Sequence, residues 1–231
     1  MKGKLLVHSE YILPIIIKWL YSDNDIFVRE LVSNACDAIF KRKVIAANSD
    51  PFNEEIRVDI DEKAKTLTIS DTGVGMEEAE VEKYIAQVAF SGAKEFLEKY
   101  QTTEQQDQII GHFGLGFFSA FMVAKQVAIQ TLSQNEGAKA VSWSSDGSSE
   151  YEILPGNKES IGTAITLHID SESEEYLEKG KLHTILRKYC AYLPYPIYLN
   201  GEKINGKTPL FTESPAKCSD EDYLKFYREM Y

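Results

Sequence analysis

IFVRELVSNACDAIFKRKVIAA, residues 26–47, runs without glycine or proline behind four candidate N-caps in Ser22-Asp23-Asn24-Asp25. Such a stretch predicts an α-helix of about six turns. At about 100° per residue, Val28, Leu31, Val32, Ala35, Ala38 and Ile39 share one side and predict the core face. Glu30, Asn34, Asp37 and Lys41 form a second, narrow polar stripe. Glu30, Asn34 and Asp37 stand at i, i+4 and i+7, so one helix face offers a carboxylate, an amide and a second carboxylate to one small polar object. A solvated helix face accounts for the same pattern when it is taken alone.

Downstream, residues 56–60 and 66–70 flank a charged turn at 61–65 and read as a hairpin. It leads into Asp71-Thr72-Gly73-Val74-Gly75-Met76. A carboxylate at a strand end can accept a hydrogen bond from a ligand amino group, and the glycines permit close backbone approach; an ordinary turn explains them equally well. Helices are expected over 76–88 and 93–100, with a polar Gln- and Thr-rich loop at 101–108. Gly111-His112-Phe113-Gly114-Leu115-Gly116-Phe117-Phe118-Ser119 then opens an apolar helix to Val123. Its backbone N–H groups and helix dipole suit a phosphate. The spacing is neither a Walker A loop nor a dinucleotide fingerprint. Strands are expected over 127–132, 138–143, 151–154 and 163–169, the last introduced by Gly162-Thr163. A helix over 174–192 broken near Gly180, a strand over 197–199, a linker at 212–215 and the start of another helix at 219–231 complete the pattern, and a short helix over 10–21 with Pro14 in its first turn precedes it.

The 231 residues hold 43% apolar and 26% charged side chains, enough to bury a core. Asp plus Glu number 36 against 25 Lys plus Arg, a net charge of −11. That surface repels phosphate backbones and anionic membranes, so neither nucleic acid nor membrane is an expected partner. Cys36, Cys190 and Cys218 are odd in number and lack a CxxC pair, which fits reduced thiols in a cytoplasmic protein.

In the order ExxxN, DxGxG, GxxGxG and GT, the set resembles the four boxes of the gyrase, chaperone, histidine-kinase and mismatch-repair ATPase superfamily. Within it, Leu20-Tyr21-Ser22-Asp23, the run from Ile26 to Ala38, Gly114-Leu115-Gly116-Phe117-Phe118-Ser119, Glu175-Tyr176-Leu177-Glu178 and Tyr192-Leu193-Pro194-Tyr195-Pro196-Ile197 resemble the N-terminal domain of the heat shock protein 90 family, bacterial HtpG type. The likeness covers residues 9–211, and residues 212–231 are similar to a linker and the first residues of the middle domain.

That resemblance implies an α/β (α+β) two-layer sandwich, a mixed, mostly antiparallel sheet covered on one face by helices, with ATP or ADP held between the layers. It assigns Asp71 to the adenine amine, with Thr163 joining through water, and Asn34 to a Mg²⁺ on the phosphates, with Asp37 ordering water behind it. Glu30 is the implied general base. Gly75, Met76, Ser91 and Gly92 are implied nucleotide neighbours, and His112, Phe113, Gly114, Leu115, Gly116 and Phe117 the phosphate contacts. Residues 86–111 match the lid. Tyr84 stands where many members carry Asn, and Phe90 where many carry Lys. An Arg of the middle domain completes the γ-phosphate site in that family, so the isolated chain is expected to bind nucleotide and turn it over slowly. The implied function is an ATP-driven chaperone acting on client proteins as a homodimer; a nucleotide-binding module with reduced or lost hydrolysis is the alternative.

Overall fold

A computed structural model describes residues 23–46, 51–87, 92, 96, 109–111, 114–148, 150–206, 210, 214 and 218–230. The expected helices over 10–21 and 93–100 and the polar loop at 101–108 lie largely or wholly outside these residues, as do Ser91, Phe90, His112 and Phe113.

Eight strands form one sheet. They are β1 (Ile56–Asp61), β2 (Thr66–Asp71), β3 (Ala124–Leu132), β4 (Val141–Ser145), β5 (Glu152–Pro155), β6 (Gly162–Ile169), β7 (Ile197–Leu199) and β8 (Glu202–Lys203). Their order is β5-β4-β3-β6-β2-β1-β7-β8. All neighbours are antiparallel except β1 and β7. The described helices are α1 (Ile26–Ala46), α2 (Glu78–Tyr84), α3 (Lys179–Cys190) and α4 (Asp220–Met230), with 3₁₀ helices over Gly116–Met122 and Glu174–Leu177. The sandwich expected from the sequence is present: a mixed, mostly antiparallel sheet with helices against it.

Strand alternation separates the two faces. Val58, Ile69, Ile165, Ile129 and Trp143 stand side by side across five strands, and all are buried. The opposite face carries half-exposed Thr68, Ser70, Ala164, Thr166, Gln130 and Ser142, with Thr68 Oγ1 and Thr166 Oγ1 3.0 Å apart. Period-two burial of β-branched and aliphatic side chains therefore fixes which face receives the helices.

Helix α1 fills that face. Phe27, Val28, Leu31, Val32, Ala35, Cys36, Ile39 and Phe40 are buried, a broader stripe than the sequence pattern alone marks. Its first turn is held by side chains from elsewhere: Tyr176 O–H donates to Asp25 Oδ1 at 3.0 Å, Lys181 Nζ lies 3.2 Å from the same oxygen, and Tyr176 meets Phe27 edge-on. The polar stripe of α1 is thereby held in a set orientation over the sheet.

Four elements differ from expectation. The predicted 76–88 helix is confined to Glu78–Tyr84, because Met76 is drawn onto the sheet by its backbone N–H. The predicted apolar helix after Gly111 is a 3₁₀ helix beginning at Gly116. The 138–143 strand starts later, at Val141, after a turn closed by Ala138 N–H on Asn135 O. The 174–192 helix is two helices broken at Glu178, whose backbone is extended, and Gly180 sits in the first turn of α3.

Candidate functional site

Between α1, α2, the loop after β2 and the glycine segment lies a cleft of about 1150 Å³. Of the residues singled out in the sequence, Glu30, Asn34, Asp37, Asp71, Gly75, Met76, Gly92, Gly111, Gly114, Leu115, Gly116, Phe117 and Thr163 line it. Five separate stretches of chain thus meet at one cavity. Ser91, His112 and Phe113 fall outside the described residues.

Asp71 ends β2 on the buried face, in a row with Thr163 of β6 and Thr131 of β3. Its Oδ1 accepts the Gly73 N–H at 2.7 Å. Burial pushes the Asp71 carboxyl up to about 7, against the pull of the Gly73 and Thr163 N–H groups, Lys158 and Arg42. Beneath the cleft lining beside it lies Thr131, which no local sequence pattern marks. Thr131 is fully buried; its Oγ1 accepts the Met76 N–H at 2.9 Å and lies 3.0 Å from Thr163 Oγ1. Only the β3–β6 register reveals it. Thr131→Val keeps the shape and removes the oxygen, leaving the Met76 N–H without that acceptor. The expected cost is about 1–3 kcal/mol of unfolding free energy, measured by urea denaturation.

The loop after β2 can reach this floor because it lies on α1. Val74 N–H donates to Ala38 O at 3.0 Å, and a Cβ at Gly73 would stand 2.5 Å from Ala38. The small residues at 38 and 73 are therefore a matched pair.

On the other side of the cleft, α1 presents Glu30, Asn34 and Asp37 inward. The solvated-face reading of this stripe does not hold: Asp37 is only 6% exposed. Glu30 Oε1 accepts from Arg29 Nη2 at 2.6 Å and Nε at 3.1 Å. A Cβ at Gly116 would lie 2.6 Å from Glu30 Oε2, so the carboxylate rests directly on the glycine segment. Asp37 accepts the N–H groups of Ile110 and Gly111, each at 2.8 Å.

Lys41 extends the stripe to the cleft mouth, with its Nζ 5.7 Å from the Phe96 ring centre. Burial pulls its ammonium below the usual lysine range, opposed by Asp37 and Glu80. Tyr84 also lines the cleft, beside Gly92. The sequence placed Lys41 on the stripe without giving it a role.

A family model described as histidine kinase-, DNA gyrase B-, and HSP90-like ATPase matches residues 21–173. The chain belongs to this ATPase family. Chaperone protein HtpG of Bacteroides fragilis is 47% identical over 247 residues, covering 100% of this chain and 36% of the relative. HtpG of Porphyromonas gingivalis is 47% identical over 249 residues, with the same coverage. HtpG of Desulfitobacterium hafniense is 37% identical over 224 residues, covering 94% of this chain and 36% of the relative. The chain thus spans about a third of the length of these curated relatives. Among the described residues, no helix is long and apolar enough to cross a membrane.

Within this HSP90-like ATPase domain the donor set bears on a cation. Among the described residues no three His, Cys, Asp or Glu side chains converge into a metal cage. A single amide oxygen at Asn34, beside a glycine segment suited to phosphates, matches a hard cation that takes few protein ligands and keeps its waters.

Proposed function

We propose that the cleft binds ATP and ADP, with the base at Asp71 and the phosphates between the α1 stripe and Gly114–Phe117. The observation that carries this reading is the Asp71 carboxylate at the end of β2, in a row with Thr163 and Thr131 and lining the same cleft as Glu30 and Asn34. In its ionised form Asp71 accepts a hydrogen bond from the adenine amine; guanine would turn a carbonyl oxygen toward it and be rejected. Asn34 would hold Mg²⁺ by its side-chain oxygen. A bound Mg²⁺ neutralises charge on the phosphate oxygens. Glu30 orients the attacking water and takes its proton, while Arg29 and Gly116 limit where its carboxylate can stand.

The pH dependence follows from Asp71. Its folded-state value, about 7, lies above the ordinary 3.8, so its contribution to stability is full below about pH 4 and is lost as pH rises toward 7. Nucleotide affinity runs the other way, because the amine requires the ionised form and binding expels the proton. ADP affinity is expected to fall by about tenfold between about pH 8 and about pH 6, with proton release detectable by calorimetry in buffers of different ionisation enthalpy. A flat profile would show that no proton leaves Asp71 on binding in this range.

For the whole protein we infer an ATP-driven chaperone of client proteins, working as a cytoplasmic homodimer, with this chain as its N-terminal ATP-binding domain and residues 86–111 as the lid. The support is the similarity to proteins named HtpG. The test is calorimetric titration of ATP, ADP and GTP into this chain, beside turnover measured on this chain and on a longer one that carries the following domain. Adenine nucleotides are expected to bind and GTP not, with appreciable turnover confined to the longer chain. Comparable turnover by both chains would contradict the assignment of a completing Arg to the following domain.

A further inference from the structure

We propose that Asp37 is a positioning residue that clamps the chain at Ile110–Gly111, where it lines the cleft, and that it supports nucleotide binding through this clamp rather than by ordering water at a cation. The proposal deepens the nucleotide reading above and rests on it.

The geometry is bidentate. Asp37 Oδ1 accepts the Ile110 N–H and Oδ2 the Gly111 N–H, both at 2.8 Å. Consecutive amides each take one oxygen of a carboxylate that is nearly buried on a central helix. Charge-assisted bonds of this length are among the stronger ones available to a protein. The chain on either side is placed to match: Ile109 is 3% exposed and belongs to the core, whereas Ile110 is 45% exposed and borders the cleft. A core anchor and two amide bonds therefore fix successive residues.

Gly111 shows how closely the backbone is drawn down. A Cβ there would stand 3.2 Å from Asp37 Oδ2 and 3.3 Å from Asn34 Oδ1. The clamp thus sets the backbone against the amide assigned to Mg²⁺. It also limits the glycine segment, because Gly114 also lines the cleft and three residues reach at most about 10 Å. Fixing Gly111 fixes the range within which Gly114 can meet a phosphate. Only a carboxylate of this length supplies two acceptors at that point. Asn would keep one and turn its amino group toward the other N–H.

The test is Asp37→Asn, read by amide hydrogen exchange and by ADP titration. The clamp predicts exchange at Ile110 and Gly111 faster by about tenfold or more in the nucleotide-free chain, with Ile129 and Leu167 in the core unchanged. It also predicts a loss of ADP affinity of about tenfold that is equal in Mg²⁺ and in EDTA. Gly111→Ala leaves Asp37 in place and crowds the loop off it, and it should reproduce the affinity loss if Asp37→Asn folds poorly. Unchanged exchange at the two amides, or an affinity loss seen only with Mg²⁺, would overturn the proposal. If the intact chain binds no ADP, the nucleotide reading falls and takes the binding role with it, while the exchange result still decides whether the clamp exists.

Discussion

Asp71→Asn is expected to reduce ADP affinity by about a hundredfold or more while the chain stays folded. The size comes from turning an acceptor into a donor. A base amine that meets the Asn amino group finds a donor where it needs an acceptor, and facing each other leaves both donors unsatisfied. The fold tolerates the change because the Asn oxygen still accepts the Gly73 N–H, and because burial already disfavours the Asp71 carboxylate near neutral pH. Calorimetry with ADP, beside a urea titration, separates the two effects. A loss under about fivefold would show that the base does not rest on Asp71.

Glu30→Ala should leave binding almost intact and abolish turnover. Glu30 is held on one side by Arg29 and on the other by Gly116, and its side chain is 22% exposed, so water can reach it. A positioned general base contributes about 10² to 10⁴ in rate, which sets the expected loss in a longer chain that hydrolyses ATP. ADP affinity is expected to stay within about threefold, because a base that takes a proton from the attacking water serves the transition state and not the bound product. A fall in turnover under about tenfold would give the base role to another residue. Equal losses of affinity and turnover would make Glu30 a binding group instead.

Why some of this was legible in the sequence and some was not follows from particular residues. Helix α1 was readable almost to its ends, since a long run without glycine or proline with an apolar period needs no tertiary information. The strands were readable wherever alternation was sharp, as in β2 and β6. Glu30, Asn34 and Asp37 on one face, Asp71 beside its glycines, and Gly114 with Gly116 each stand in a short local pattern, and the structure brings them to one cleft. Thr131 stands in no such pattern, because its place under Met76 and Thr163 depends on strand register, a long-range property. The hydrogen bonds of Asp37 were hidden for the same reason: its partners Ile110 and Gly111 are more than seventy residues away. Apolar content marks a helix after the glycine segment without choosing its type, since it fits either. A 3₁₀ helix begins there, with Gly116 packed on Glu30 and Gly114 at φ +65°.

The most direct test of the central claim, that one cleft holds the base at Asp71 and the phosphates at the glycine segment, is a backbone amide NMR titration with adenosine and then with ADP and Mg²⁺. Both ligands are expected to shift Gly73, Gly75, Met76 and Thr163, and only ADP is expected to shift Gly114, Leu115, Gly116 and Phe117. Shifts confined to other parts of the chain, or an ADP response that leaves the second group unmoved, would contradict it.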